Sequence, residues 1–212
     1  MNKTTTEITN EYIKEHAYIK SCLKKRLINY SSLARLISKE LNIEKKTSKE
    51  AILIAARRFQ EKLKQEINYE KKIKNLLADS QIEIKNKVTI FIFEKNLNFD
   101  QLHDIWKFIT KDSGVFYLLE GSGHYSIITQ DKYAKLFQTK FGRNIITTHE
   151  NQALINYKSQ KDIEYVPGVV AYLTSLFTEH SINITEIMSF WTDTLFIINN
   201  DDANKAMSFL KF

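Results

Sequence analysis

The sequence predicts an α+β protein: an all-α N-terminal region, helix-turn-helix-like in layout, followed by two βαββαβ units in tandem. Three observations predict it. Residues 7–78 hold neither glycine nor proline, and their apolar positions recur at helical spacing. From residue 82 onward, runs rich in β-branched and aromatic residues alternate with helical ones. The same strand and helix order is then written twice, which reads as an internal duplication. A chain of 212 residues has room for such units, here placed at 1–79, 80–149 and 150–212.

In the helical region, Ile8, Tyr12 and Ile13 mark a first helix, and Tyr18, Ile19, Cys22, Leu23 and Leu27 a second. Ser31 or Ser32 suits the cap of a third, whose apolar face is Leu33, Leu36, Ile37 and Leu41. Thr47 and Glu50 then have capping-box spacing: the Thr oxygen takes one free N–H and the Glu returns to the other. A long helix follows along Ile52, Ala55, Ala56, Phe59, Leu63 and Ile67 and runs on toward Leu77 as a connector. Residues 32–41 and 48–60 have the layout of a helix–turn–helix.

In the second part, residues 87–93 read as a buried strand, and residues 99–109 as a helix with Leu102, Ile105, Trp106 and Ile109 on one face. Gly114 stops that helix. Strands at 115–119 and 125–129 flank a Gly-Ser-Gly turn, a helix covers 131–141, and a closing strand covers 145–148. The second unit repeats the order: strand 153–158, a helix at 169–179 with Val170, Leu173, Leu176 and Phe177 inward, strands 182–190 and 194–198, and a helix at 203–210. Each sheet would have one face covered by helices and an edge left to pair.

Charge divides the chain in the same place. Residues 1–79 carry 18 Lys and Arg against 10 Asp and Glu, a net +8; residues 80–212 carry 13 against 15, a net −2. A basic half joined to an acidic one suggests different partners. If the basic half meets double-stranded DNA, the reading helix begins near Thr47. Lys45, Lys46, Ser48 and Lys49 would then meet phosphates or base edges, with Arg57 and Arg58 farther along. A solvated turn, with the arginines paired to nearby glutamates, accounts for the same residues.

The one proline stands in Tyr-Val-Pro-Gly-Val-Val-Ala, residues 165–171, just before a helix. Gly168 permits close approach of backbone to a ligand, and the amides of Gly168, Val169 and Val170 lie free at the helix start, where a carboxylate is welcome. Asn183, at the beginning of a strand, offers a side-chain amide. A tight loop and a turn asparagine explain these residues equally well.

Residues 166–210, VPGVVAYLTSLFTEHSINITEIMSFWTDTLFIINNDDANKAMSFL, resemble an ACT domain, closest in style to those of aspartokinases. Pro167-Gly168 opening a helix, the Ser-Ile-Asn-Ile run at 181–184 and the Thr-Asp turn between apolar strands carry the resemblance. It implies a ferredoxin-like βαββαβ fold, side-by-side pairing into a continuous sheet, and a small effector, usually an amino acid, where the Pro-Gly loop meets a partner's strand. By resemblance the ligand residues are Asp162, Glu164, Pro167, Gly168, Val169 and Asn183. Residues 82–148 lack Pro-Gly and Ile-Asn-Ile and are expected to be a degenerate ACT-like partner. Residues 8–68 look like helical DNA-binding segments joined to ACT pairs in archaeal proteins.

No catalytic constellation assembles. The five histidines are isolated in sequence, Cys22 sits in an apolar stripe, and no spacing suits a metal or cofactor. The single cysteine points to a reducing cytoplasm, and no apolar run reaches membrane length. The sequence therefore predicts a non-enzymatic, homodimeric or higher homo-oligomeric regulator. In it, an amino acid controls a basic helical domain, with transcriptional control as output. A regulatory subunit docking a metabolic enzyme is the alternative.

Overall fold

The computed structural model describes residues 3–63 and 69–212, which divide into two units, Met1–Asn68 and Tyr69–Phe212. In the first, helices α1 (Thr5–Glu15), α2 (Ala17–Lys24), α3 (Tyr30–Glu40) and α4 (Lys49–Leu63) surround a core of Tyr12, Ile13, Leu23, Leu33, Ile37, Ile52 and Phe59. The stripe expected on α4 is buried from Ile52 to Leu63. Ile67 and the helix expected through it lie outside the described residues. Other faces differ from expectation: Tyr18, Leu27, Leu36 and Leu41 are exposed, and Ala34 and Ser38 point inward. A bundle of short helices buries a narrower stripe than sequence spacing suggests.

The caps shift as well. Asn29, not a serine, caps α3 by accepting from the Ser32 amide at 3.0 Å. Ser48 caps α4 by accepting from the Ala51 amide at 3.1 Å, while the Thr47 hydroxyl lies 3.3 Å from that of Thr5. The capping box is at Thr4 and Glu7, each accepting from the other's amide. Residues 41–48 between α3 and α4 form a longer connection than the ~3–4 residues of a helix-turn-helix turn, and within it Asn42 adopts φ 51°.

The second unit runs α5 (Glu70–Ala78), β1 (Gln81–Glu94), α6 (Phe99–Lys111), β2 (Phe116–Glu120), β3 (His124–Gln130), α7 (Ala134–Phe141), β4 (Ile145–Lys158), α8 (Val169–Glu179), β5 (Ile184–Phe190), β6 (Asp193–Asn199) and α9 (Ala203–Phe209). Its strands form one antiparallel sheet in the order β2-β3-β1-β4-β6-β5. Two separate sheets were expected. They merge because β1 and β4 are each 14 residues long and serve both repeats. Lys87 (φ 57°) and Asn151 (φ 53°) mark the junction on the two strands, and the register shifts between Lys85 and Val88. The polar stretch around Asn151, read as a break, is a bulge instead.

The first repeat is β1 from residue 88, α6, β2, β3, α7 and β4 to residue 149, in ferredoxin-like order. The second takes β4 from 152, then α8, β5, β6 and α9, and borrows its fourth strand from residues 81–85 of β1, where Gln81 pairs with Lys158. The first repeat is thus inserted into the second rather than placed before it.

Helices cover one face. Phe91, Phe93, Ile127, Phe137 and Phe141 fill the space under α6 and α7. Ile155, Tyr157, Leu173, Phe177 and Phe196 do so under α8 and α9. Ile73 and Leu77 of α5 join this second core, so the stretch read as a connector packs on the sheet. The opposite face is also buried: Val88, Ile90, Ile128, Leu154, Leu195 and Ile197 form a third core with Val115 and Met188 from the two ends of the strand order.

Two glycines are required for different reasons. Gly114 was expected to supply a left-handed helix stop, but Ser113 takes that conformation (φ 52°). A Cβ on Gly114 would fall 2.6 Å from the Tyr133 hydroxyl and 2.7 Å from Ile109, so packing demands glycine there. Gly168 has φ 94° and needs glycine for the backbone itself.

Candidate functional site

The Pro-Gly loop begins where β4 ends. The Ser159 amide donates to the Thr192 carbonyl at 2.8 Å, and the Ser159 hydroxyl lies 2.8 Å from that of Ser80, anchoring the loop on both sides. A 3-10 turn, Lys161–Tyr165, carries the chain to Val166 and an exposed Pro167. Gly168 then turns the chain into α8, its carbonyl accepting from the Tyr172 amide at 2.8 Å. Gly168 has no side chain to cap the helix, so the first-turn amides of α8 keep free donors.

Those amides border a cavity of about 390 Å³. Gly168, Val169 and Val170 form one wall, Ile163, Glu164 and Val166 another, and Ser189 and Trp191 the side toward β5. Val170, expected inward, is half-exposed on this wall because Val169 takes the buried position. Trp191 occupies the β5–β6 turn at φ 48°, with the Lys161 ammonium 5.7 Å from its ring centroid. Dipolar backbone, one carboxylate and an apolar wall suit a small ligand with a carboxylate, an ammonium and an apolar part.

The predicted ligand residues are only partly brought together. Glu164, Gly168 and Val169 line this cavity, and Pro167 lies in the loop between them. Asp162 points to a different hollow of about 530 Å³, beside Lys72, Asn75, Asp79 and Tyr165. The 3-10 turn puts residues 162 and 164 on opposite sides of the loop. Asn183 is far from both. It precedes β5, whereas Ser189 near the other end of β5 touches the cavity. Six strand residues span roughly 20 Å, so Asn183 and the loop of one chain cannot share a ligand. Sequence reading missed Trp191 and Ser189, which only the β5–β6 hairpin brings to the loop. It also missed Ile73, whose Cδ1 lies 3.6 Å from the place a Gly168 Cβ would take.

In the helical unit, Lys45, Lys46, Ser48, Lys49, Arg57 and Arg58 are all exposed. Ser48 is occupied as a helix cap, and the Arg57 guanidinium stands 5.4 Å from the Tyr30 ring centroid. Among the described residues no group of three or more His, Cys, Asp or Glu side chains is placed to hold a metal ion. No helix among them is long and apolar enough to cross a membrane.

No protein-family model matches the sequence, and no curated protein matches it. Among solved structures, the chain is similar to an aspartate kinase from Clostridium acetobutylicum, with 19% identity and a TM-score of 0.47 over 61% of this chain and 32% of that one. It is also similar to the regulatory subunit of aspartate kinase from Thermus thermophilus, with 10% identity and a TM-score of 0.45 over 59% and 90%. A third is E. coli aspartokinase III in complex with lysine and aspartate, with 11% identity and a TM-score of 0.46 over 61% and 31%. The chain spans about a third of the length of the Clostridium enzyme.

Proposed function

We propose that this chain is a regulatory, non-catalytic protein that binds a small amino acid at the Pro167-Gly168 loop. The observation that carries the reading is the left-handed Gly168, which opens the first amides of α8 into a cavity with Glu164 on its lip. The effector's carboxylate takes the amides of Val169 and Val170, Glu164 takes its ammonium, and Trp191 and Val166 face its side chain. The ACT resemblance of residues 166–210 supports the same placement. It also implies a homodimer in which the loop meets a partner's strand; we propose that the Asn183 amide comes from that second copy, in keeping with its distance from the loop of its own chain.

The test is titration of the purified protein with the twenty amino acids, followed by thermal shift and by tryptophan fluorescence. Binding to the folded state alone raises the melting temperature. A bound ligand should also move the Trp191 emission, and Glu164→Gln should weaken its affinity roughly tenfold or more. No response to any amino acid, or a response unaffected by Glu164→Gln, overturns the reading.

The output we propose is nucleic-acid binding by the helical unit, supported by its net positive charge and its exposed Lys45, Lys46, Lys49, Arg57 and Arg58. Affinity for duplex DNA should fall steeply as salt rises. Salt-independent binding to a protein instead would favour docking on a metabolic enzyme.

A further inference from the structure

The turn between β5 and β6 consists of Trp191 and Thr192, since Phe190 pairs with Asp193. Trp191 takes φ 48° there. Tight hairpin positions with φ above zero are ordinarily filled by glycine, asparagine or aspartate, and a bulky side chain in that region is a strained exception. Burial does not explain the choice, because the residue is 61% exposed. The position is therefore strained and gains little from packing. Strain of this kind persists where the residue has another task, and Trp191 stands at the wall of the Gly168 cavity toward β5.

A second residue acts on the same ring. Lys161, which opens the 3-10 turn, holds its ammonium 5.7 Å from the Trp191 ring centroid, within reach of a cation–π contact. Lys161 is exposed and forms no ion pair among the described residues. The place that the ring offers to a cation is thus taken by the chain itself. A lysine or arginine side chain in the cavity would compete for that ring and meet a like charge beside it. An acidic side chain would lie among Ile163, Val166 and Val170, with the Glu164 carboxylate on the same lip. A neutral apolar side chain meets neither charge and is buried against the indole and those three residues.

We propose that Trp191, with Lys161 on its ring, makes this site specific for a neutral amino acid with an apolar side chain. This deepens the amino-acid reading given above, on which it rests, by fixing the class of effector.

Calorimetric titration of the full chain with the twenty amino acids is the measurement. Leucine or phenylalanine should bind roughly tenfold or more tightly than lysine and aspartate. Trp191→Asn removes the ring and suits the left-handed turn. It should weaken leucine and phenylalanine roughly tenfold or more, with a melting temperature unchanged or raised. A tryptophan kept only for structure would give the opposite, a lowered melting temperature. Lys161→Glu reads the charge independently of that turn and should tighten lysine binding roughly tenfold or more. A tightest binder with a charged or polar side chain overturns the proposal while the amino-acid reading stands. So does undiminished binding or a lowered melting temperature in Trp191→Asn, or no gain for lysine in Lys161→Glu. Binding of none of the twenty overturns both.

Discussion

Replacing Gly168 by alanine isolates the backbone on which the candidate site depends. At φ 94° and ψ 2° an L-residue carries a left-handed penalty of ~1–2 kcal/mol. Alanine stiffens the unfolded chain and returns ~0.4–1 kcal/mol of that. The new Cβ would be 3.6 Å from Ile73 Cδ1, an ordinary contact, so sterics add nothing. The net loss lies within ~0–1.6 kcal/mol and centres near ~0.8 kcal/mol. Asparagine tolerates this conformation far better, so Gly168→Asn should cost less than Gly168→Ala. Urea unfolding followed by tryptophan fluorescence measures this cleanly, because both tryptophans, Trp106 and Trp191, lie in the sheet unit. If alanine were neutral, or asparagine as costly as alanine, the left-handed turn would not be what shapes this loop.

Three further perturbations test other parts of the molecule. Phe137→Ala should cost the sheet unit ~3–5 kcal/mol in the same assay, because its buried ring packs on Phe91, Phe116 and Phe141. Ser48→Ala should destabilise the helical unit by ~1 kcal/mol, and Thr47→Ala by less, since only Ser48 caps α4; thermal melts followed by circular dichroism distinguish them. The Tyr12 phenol, held chiefly by burial and by donation to Glu40, is pushed up from 10.0 to about 12. A raised folded value favours the protonated form, so this contribution is complete below pH 10 and lost as pH rises toward 12. Alkaline unfolding of the helical unit should therefore come later in Tyr12→Phe.

Much of the fold was legible along the chain. The run at 87–93, read as a buried strand, is buried on both faces: Phe91 and Phe93 turn to the helices and Ile90 and Ile92 to the other side. The helical stripe from Ile52 to Leu63 is the buried face of α4. Caps were less legible, because Asn29, Ser31 and Ser32 all have side chains that accept from an amide and only the chain's entry angle chooses among them. For the candidate site, Gly168 was readable from the loop itself, and Glu164 was implied by the resemblance. Trp191 was not, because its position follows from a hairpin closing beside a loop well before it in sequence.

What the sequence determined by itself is what local chemistry controls: helix and strand periods, the turn at Pro167-Gly168, and the doubled order of elements. Tertiary structure decided how the repeats interlock. An unbroken apolar run states that both faces of a strand are buried but not which strand lies beside it, so the loan of residues 81–85 to the second repeat became visible only through pairing with β4. The same applies to α6, whose stripe of Phe99, His103 and Trp106 has the spacing of a buried face. It is exposed because β2, the strand beneath it, is the last in the sheet and no further strand continues the layer under that side of the helix.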